Sequence, residues 1–158
     1  MTMRALVFSA AGLRYALPIE AVREVQRIVA FCPVPGANDG LIGMFELRGE
    51  VVAAIDFGEM VGLGTTERGL DTPMVVMQSG AHRAALVVDE VEDVVDMDDR
   101  TMRAVPGLHP LAERAIGMFN DDGGLLTVLD PGRLMPSGLL AEDAIDTVQP
   151  PVPLVLVS

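Results

Sequence analysis

Residues 42–56 carry the sequence IGMFELRGEVVAAID, and this stretch decides the fold. Two apolar runs flank a polar centre from Arg48 to Glu50, where Gly49 can adopt the positive φ that a tight turn demands. Apolar runs joined by such a turn are typical of a β-hairpin. The pattern therefore predicts a hairpin with Arg48 at its tip.

The hairpin pattern returns in the second half of the chain. Residues 116–119 repeat the letters IGMF of residues 42–45, 74 positions later. In the same register Asp122 stands where the first copy has Arg48. One tip therefore carries an arginine and the other an aspartate, and this difference is the most useful functional clue in the sequence.

The parts that precede the two hairpins also match, without a gap. Arg14 falls on Arg83 and Val22 falls on Val91, each 69 positions later. Short strands at a spacing of about 8–12 residues are typical of all-β folds. The order of the matches predicts an internal repeat of two small β units, about 1–70 and about 71–136. Each half is too short for a confident independent domain, so a single domain 1–136 with a shared interface is expected.

Three segments fall outside the strand pattern. Residues 62–72 are rich in Gly and Thr and mark the expected boundary between the units. Ile19, Val22 and Val25 recur at helical spacing and predict a short helix. The end of the chain, 137–158, predicts a helix over 139–145 and an extended tail over 149–158. The tail's aliphatic run 154–157 has strand propensity, so we expect it to add as a strand to an exposed sheet edge. The alternative is a disordered terminus, since chain ends usually fray.

Composition and charge limit the possible partners. Half of the 158 residues are hydrophobic, so a core can form without disulfides or metal. The net charge is −12 and Lys is absent, so DNA, RNA and anionic membranes would be repelled. No apolar run approaches the roughly 20 residues that span a bilayer, and the N-terminus lacks a signal-peptide pattern. These features predict a cytoplasmic protein without membrane insertion.

No motif in the sequence indicates catalysis, a metal or a cofactor. His82 and His109 lack the spacing of metal ligands, and the acidic run 96–99 lacks the Gly and the closing Glu of a calcium loop. Without Lys a phosphate-binding P-loop is impossible. The single cysteine, Cys32, rules out an internal disulfide and is interpreted as a small buried residue. The chain is therefore expected not to be an enzyme.

Binding remains, and Arg48 is the candidate anchor. A guanidinium at a rigid hairpin tip offers five donors to a carboxylate-bearing partner at little entropic cost. Alternatively, Arg48 packs on its neighbours or pairs with an acid such as Glu50. The sequence leaves both interpretations open.

Several motifs, in order and at similar spacing, resemble the CheW family of chemotaxis coupling proteins. The resemblance runs from about Leu6 to Pro136 and rests on these segments: 6–8 (LVF), 15–17 (YAL), 22–25 (VREV), 33–35 (PVP), 43–57 (GMFELRGEVVAAIDF) and 87–91 (VVDEV). The chain departs from the family pattern at Ala53, where the family usually has Pro, and at Glu46, where it often has Asn.

The resemblance implies a fold and a function. The expected fold is all-β with short helices, in which two intertwined five-stranded SH3-like β-barrels are related by the internal repeat. The expected function is a non-catalytic adaptor that joins the cytoplasmic tip of a chemoreceptor, a methyl-accepting protein, to the regulatory domain of a CheA-type histidine kinase. Carried over by position, Glu24 and Arg48 are expected to contact the kinase, and Ile19, Val22, Gly43 and Ala85 the receptor.

A second hypothesis, from another functional class, is a small-ligand-binding β-barrel that senses a metabolite. A ligand that binds only the native state raises the melting temperature, so a thermal shift would favour this alternative.

Overall fold

The computed structural model describes residues 2–35, 40–109 and 111–135. The predicted helix 139–145 and tail 149–158 lie outside these residues and stay predictions. In the described part, no helix has the length and apolarity that crossing a membrane requires. The strands and short α-helices are β1 (Thr2–Ala10), β2 (Leu13–Pro18), β3 (Val22–Arg27), β4 (Leu41–Leu47), β5 (Glu50–Asp56), α1 (Phe57–Met60), β6 (Pro73–Ser79), β7 (His82–Val87), β8 (Glu90–Asp98), β9 (Ala115–Asp121), β10 (Gly124–Leu129) and α2 (Pro131–Leu134).

The strands form two five-stranded sheets that interlock the two copies of the repeat. Sheet 1 has the order β8-β1-β2-β10-β9, and sheet 2 has the order β3-β6-β7-β5-β4. Each sheet therefore takes one hairpin, β1–β2 or β6–β7, from one copy and three strands from the other. This arrangement confirms the predicted all-β fold with two intertwined five-stranded units.

The repeat extends to the pairing register. In sheet 1, β10 runs parallel to β2 with Thr127 opposite Tyr15. In sheet 2, β5 runs parallel to β7 with Ala53 opposite Ala84, the equivalent positions of the repeat. The two sheets are thus built to one plan, with the roles of the copies exchanged.

A single bridge brings together the two ends of each sheet. Cys32, which follows edge strand β3, pairs with Met44 on the other edge strand, β4. Arg103, which follows β8, pairs in the same way with Met118 on β9. In the described residues each expected barrel is therefore a curled sheet joined at one point rather than closed by continuous pairing. Cys32 is exposed at this bridge, so its interpretation as a buried residue is wrong.

Three apolar clusters form the core. The largest lies between the sheets and contains Phe8, Tyr15 and Phe57, whose ring centroids are 4.7–5.7 Å apart. A smaller cluster fills each curled sheet, with Val76 and Ala85 among its members in sheet 2. Because the largest cluster joins residues of both sheets, neither copy can bury its apolar surface alone.

The helix predicted from Ile19, Val22 and Val25 is wrong beyond its first turn. Ile19–Ala21 form one 3-10 turn, and β3 begins at Val22. Along β3, half-buried and exposed residues alternate, which is the period of a strand. Pairing with β6 therefore overrides a weak helical spacing.

The predicted boundary 62–72 is held by a buried carboxylate. Asp56 is fully buried and accepts hydrogen bonds from the Thr66 backbone N–H at 2.9 Å and the Thr66 hydroxyl at 2.8 Å. The same carboxylate accepts from Arg68 Nη1 at 3.0 Å and caps α1 through the Glu59 N–H at 3.1 Å. One aspartate thus ends β5, starts α1 and fixes the segment that connects the two copies.

Candidate functional site

Arg48 lies at the tip of the β4–β5 hairpin, as the sequence predicts. Leu47 pairs with Glu50, so the turn has two residues, Arg48 and Gly49. Their φ angles are +51° and +83°, as a type I′ turn requires. An arginine is unusual in this left-handed region, which favours Gly, Asn and Asp.

Arg48 forms a two-pronged ion pair with Glu24, not with Glu50. Its Nη1 donates to Glu24 Oε2, and its Nη2 donates to Oε1 at 3.3 Å. The two residues come from opposite edges of sheet 2, β4–β5 and β3, so the pair forms where the curled sheet meets itself. The hydrogen bond from Arg48 lowers the pKa of Glu24, and the same bond raises the pKa of Arg48.

The ion pair is accessible to a partner. The Arg48 side chain is 73% exposed, whereas that of Glu24 is 24% exposed. The less exposed Glu24 therefore binds the inner side of the Arg48 guanidinium, and the outer side of that guanidinium faces solvent. This places the two sequence-predicted kinase contacts next to each other on one surface.

Two further arginines adjoin this pair. Gln78 Oε1 accepts from Arg23 Nη1 at 2.8 Å and from Arg83 Nε at 3.2 Å. The Gln78 amide nitrogen donates to the Gly80 carbonyl at 2.8 Å, which turns the amide oxygen toward the arginines. Arg83 Nη1 also donates to Glu50. We call the six side chains Arg23, Glu24, Arg48, Glu50, Gln78 and Arg83 the arginine face; four of them line a cavity of about 190 Å³.

The four residues expected to contact a receptor lie in two different environments. Ile19 and Val22 are partly buried at the margin of the core between the sheets. Ala85 is fully buried inside sheet 2, so a partner cannot touch its side chain in the folded chain. Gly43 is also buried: a Cβ there would lie 2.6 Å from Phe31 Cβ and 2.8 Å from the Cys32 carbonyl oxygen. Of these four residues, only Ile19 and Val22 therefore expose part of their side chains to a partner.

Sequence reasoning missed Arg23, Gln78 and Arg83. Each looks like an ordinary strand residue, and they meet only because β3, β6 and β7 are neighbours in sheet 2. The repeat held a partial signal, since Arg83 aligns with Arg14 while Arg23 aligns with Glu92. In the described part of the chain, no group of three His, Cys, Asp or Glu side chains is arranged to hold a metal ion.

Comparison with known proteins agrees with this architecture. The family model of the CheW-like domain matches residues 4–138. The chemotaxis protein CheW of Rhizobium meliloti (strain 1021) is 25% identical over 134 residues, which cover 84% of this chain and 86% of that protein. The chemotaxis protein CheW of Bacillus subtilis (strain 168) is 24% identical over 132 residues, which cover 82% of this chain and 85% of that protein.

A solved structure shares the fold. The crystal structure of the scaffolding protein TtCheW from Thermoanaerobacter tengcongensis superposes with a TM-score of 0.78 at 24% identity, covering 86% of this chain and 89% of that one. Since the family model covers most of the sequence, this chain belongs to the family of proteins with a CheW-like domain.

Proposed function

We propose that this chain is a non-catalytic adaptor of cytoplasmic chemotaxis signalling. It couples the cytoplasmic tip of a chemoreceptor to the regulatory domain of a CheA-type histidine kinase. Membership of the CheW-like family and the relatives named as chemotaxis proteins support this role.

The Arg48–Glu24 pair is the observation that carries the proposal. Arg48 adopts a backbone conformation that is unfavourable for an arginine, and Glu24 fixes the position of its guanidinium. A guanidinium fixed in this way loses little side-chain entropy when a partner binds. The arginine face is therefore the proposed kinase contact.

The receptor contact is proposed at the Ile19–Val22 margin of the intersheet core. Both side chains are apolar and partly buried, so the helical hairpin of a receptor tip can pack against them. Gly43 and Ala85 act on this contact only from inside the fold, because they are buried.

The two contacts are separable by titration calorimetry. The titrants are the isolated kinase regulatory domain and a soluble receptor-tip hairpin, each added to the same set of variants. We expect Val22→Glu to weaken receptor binding at least about tenfold and to leave kinase binding within about twofold. The matched control is Val91→Glu, since Val91 is the repeat equivalent of Val22 and is also partly buried against the intersheet core. Equal loss of receptor binding in both variants would contradict the proposed contact.

A ligand-binding role stays as the second candidate, and one cavity favours it. A cavity of about 370 Å³ lies on sheet 1, lined by Leu13, Tyr15, Met118 and Leu125 among others. Its size is within the range of small-molecule sites. Tyr15 is the only tyrosine and the chain has no tryptophan, so tyrosine fluorescence reports on one residue of the cavity lining. A saturable change in that fluorescence on addition of a metabolite mixture, together with a rise in Tm, would support this role.

A further inference from the structure

The arginine face has a repeat equivalent of opposite charge at the other hairpin tip. Arg23, Glu24, Arg48, Glu50 and Arg83 correspond to Glu92, Asp93, Asp122, Gly124 and Arg14. The first set has three positive and two negative charges, and the second has one positive and three negative charges. We call the second set, together with Asp121, the acidic face.

The one arginine of the acidic face, Arg14, is engaged in ion pairs with neighbouring acidic side chains. Arg14 Nη1 and Nη2 donate to Asp121 at 2.6 and 3.0 Å, and Nη2 also donates to Glu92 at 3.1 Å. The Arg14 side chain is only 19% exposed. A partner that meets this surface therefore meets carboxylates, because the guanidinium is enclosed by them.

The arginine face, by contrast, keeps donors for a partner. Within the described residues, Arg23 donates one hydrogen bond, to Gln78. Arg83 donates from two of its nitrogens, to Gln78 and to Glu50. A guanidinium has five N–H groups, so most donors of Arg23 stay available. The chain has a net charge of −12, so three arginines around one cavity are a local concentration of positive charge on an otherwise acidic protein.

We propose that Arg23 and Arg83 join Arg48 in reading carboxylates of the kinase regulatory domain, while the acidic face rejects the same partner. This inference rests on the proposed function and names the chemistry of its kinase contact. The repeat gives the two faces equivalent strand pairing, so the arrangement of the strands alone does not choose between them. Like charges brought together at an interface disfavour the wrong orientation, and opposite charges favour the right one.

The test titrates the CheA-type kinase regulatory domain encoded in the same genome into single-site variants. Arg23→Glu and Arg83→Glu each weaken binding at least about tenfold, and Arg83→Gln weakens it about threefold while retaining a hydrogen-bonding side chain. Arg27→Glu is the matched control. Arg27 lies on the same strand as Arg23, its ion pair with Asp71 is exposed on both sides, and its reversal changes the net charge equally. We expect the control to stay within about twofold of the wild type.

A second measurement locates the partner on the chain. In an NMR titration of the isotope-labelled wild type, the amides of 46–50 shift and those of 120–124 do not. Equal shifts at both tips overturn the rejection by the acidic face. Equal weakening by Arg23→Glu, Arg83→Glu and Arg27→Glu overturns the three-arginine contact and leaves the adaptor function standing. A wild type that does not bind the regulatory domain overturns the proposed function and this inference together.

Discussion

The two hairpin tips share a fold plan but differ in backbone and in charge. At the first tip Arg48 and Gly49 both have positive φ, whereas at the second tip only Gly124 does among residues 121–124. The first tip holds its arginine against Glu24 across the joint of sheet 2, and the second surrounds Arg14 with acids. The two tips therefore keep the hairpin plan but differ in turn geometry and charge, so they offer different surfaces to a partner.

The segments that follow the two hairpins differ in the same way. Asp56 and Asp130 are repeat equivalents, and each caps the short helix behind its hairpin. Asp56 is fully buried and also binds Thr66 and Arg68, whereas the Asp130 side chain is 35% exposed. Asp56 therefore caps its helix and also fixes the segment that connects the two copies, whereas Asp130 caps its helix.

Replacement of these aspartates gives the largest expected difference. Asp56→Ala removes the acceptor of four hydrogen bonds in a buried site, one of them from Arg68, and should cost about 3–5 kcal/mol. Asp130→Ala removes a cap and should cost about 1 kcal/mol. Urea unfolding measures both, and similar losses for the two variants would contradict the assigned difference.

The paired glycines of β4 and β9 come next. In Gly43→Ala the new methyl meets Phe31 Cβ at 2.6 Å and a backbone carbonyl, neither of which can move easily. In Gly117→Ala it meets the flexible end of Met102 at 2.6–2.7 Å and a carbonyl at 2.8 Å. We expect a loss of about 3 kcal/mol for Gly43→Ala and about 1–2 kcal/mol for Gly117→Ala. The unfolding free energies check the order, and a reversed order would show that Met102 is the more rigid neighbour.

Much of this plan could be predicted from residues 42–56 and their repeat. The turn at Arg48 and Gly49, the two hairpins and the all-β class follow from local pattern, because a hairpin is specified by contacts close in sequence. The exchange of hairpins between sheets came from family resemblance, since no local signal says which distant strand β1 or β6 joins. The meeting of Arg23, Gln78 and Arg83 needs that exchange, and so does the burial of Ala85 in sheet 2. Those site features therefore required the structure.

Reversing the charge at each hairpin tip tests the binding function while the fold stays unchanged. Arg48→Glu should weaken binding of the kinase regulatory domain at least about tenfold, because the partner's carboxylates then face a carboxylate. Asp122→Lys, at the equivalent position, should leave that affinity within about twofold. Calorimetric titration measures both, with melting curves to show that each variant is folded. Unchanged affinity in a folded Arg48→Glu variant would remove Arg48 from the site.

The acidic face should also show itself in the pH dependence of stability. Hydrogen bonds from Arg14 lower the pKa of Asp121. A lowered folded-state pKa adds stability that is complete above the unfolded-state value of about 4 and is lost as the pH falls through the folded value. The stability difference between the wild type and Arg14→Gln should therefore be largest near neutral pH and shrink in acid. Unfolding at several pH values measures it. A difference that stays constant into acid would contradict the link to Asp121.

The smallest expected effect separates the residue that favours stability at the first tip from the residue that favours binding. Arg48 and Ala11 both have positive φ in two-residue turns, at +51° and +54°. Asn tolerates this region better than either residue, so Arg48→Asn and Ala11→Asn should each raise Tm by about 2–3 °C. The lost Arg48–Glu24 pair offsets little of this gain, since exposed ion pairs contribute little. If Arg48 is kept for binding, Arg48→Asn gains stability and loses affinity for the kinase regulatory domain, whereas Ala11→Asn gains stability at unchanged affinity. A fall in Tm for Arg48→Asn would instead make the arginine a structural residue of the sheet joint.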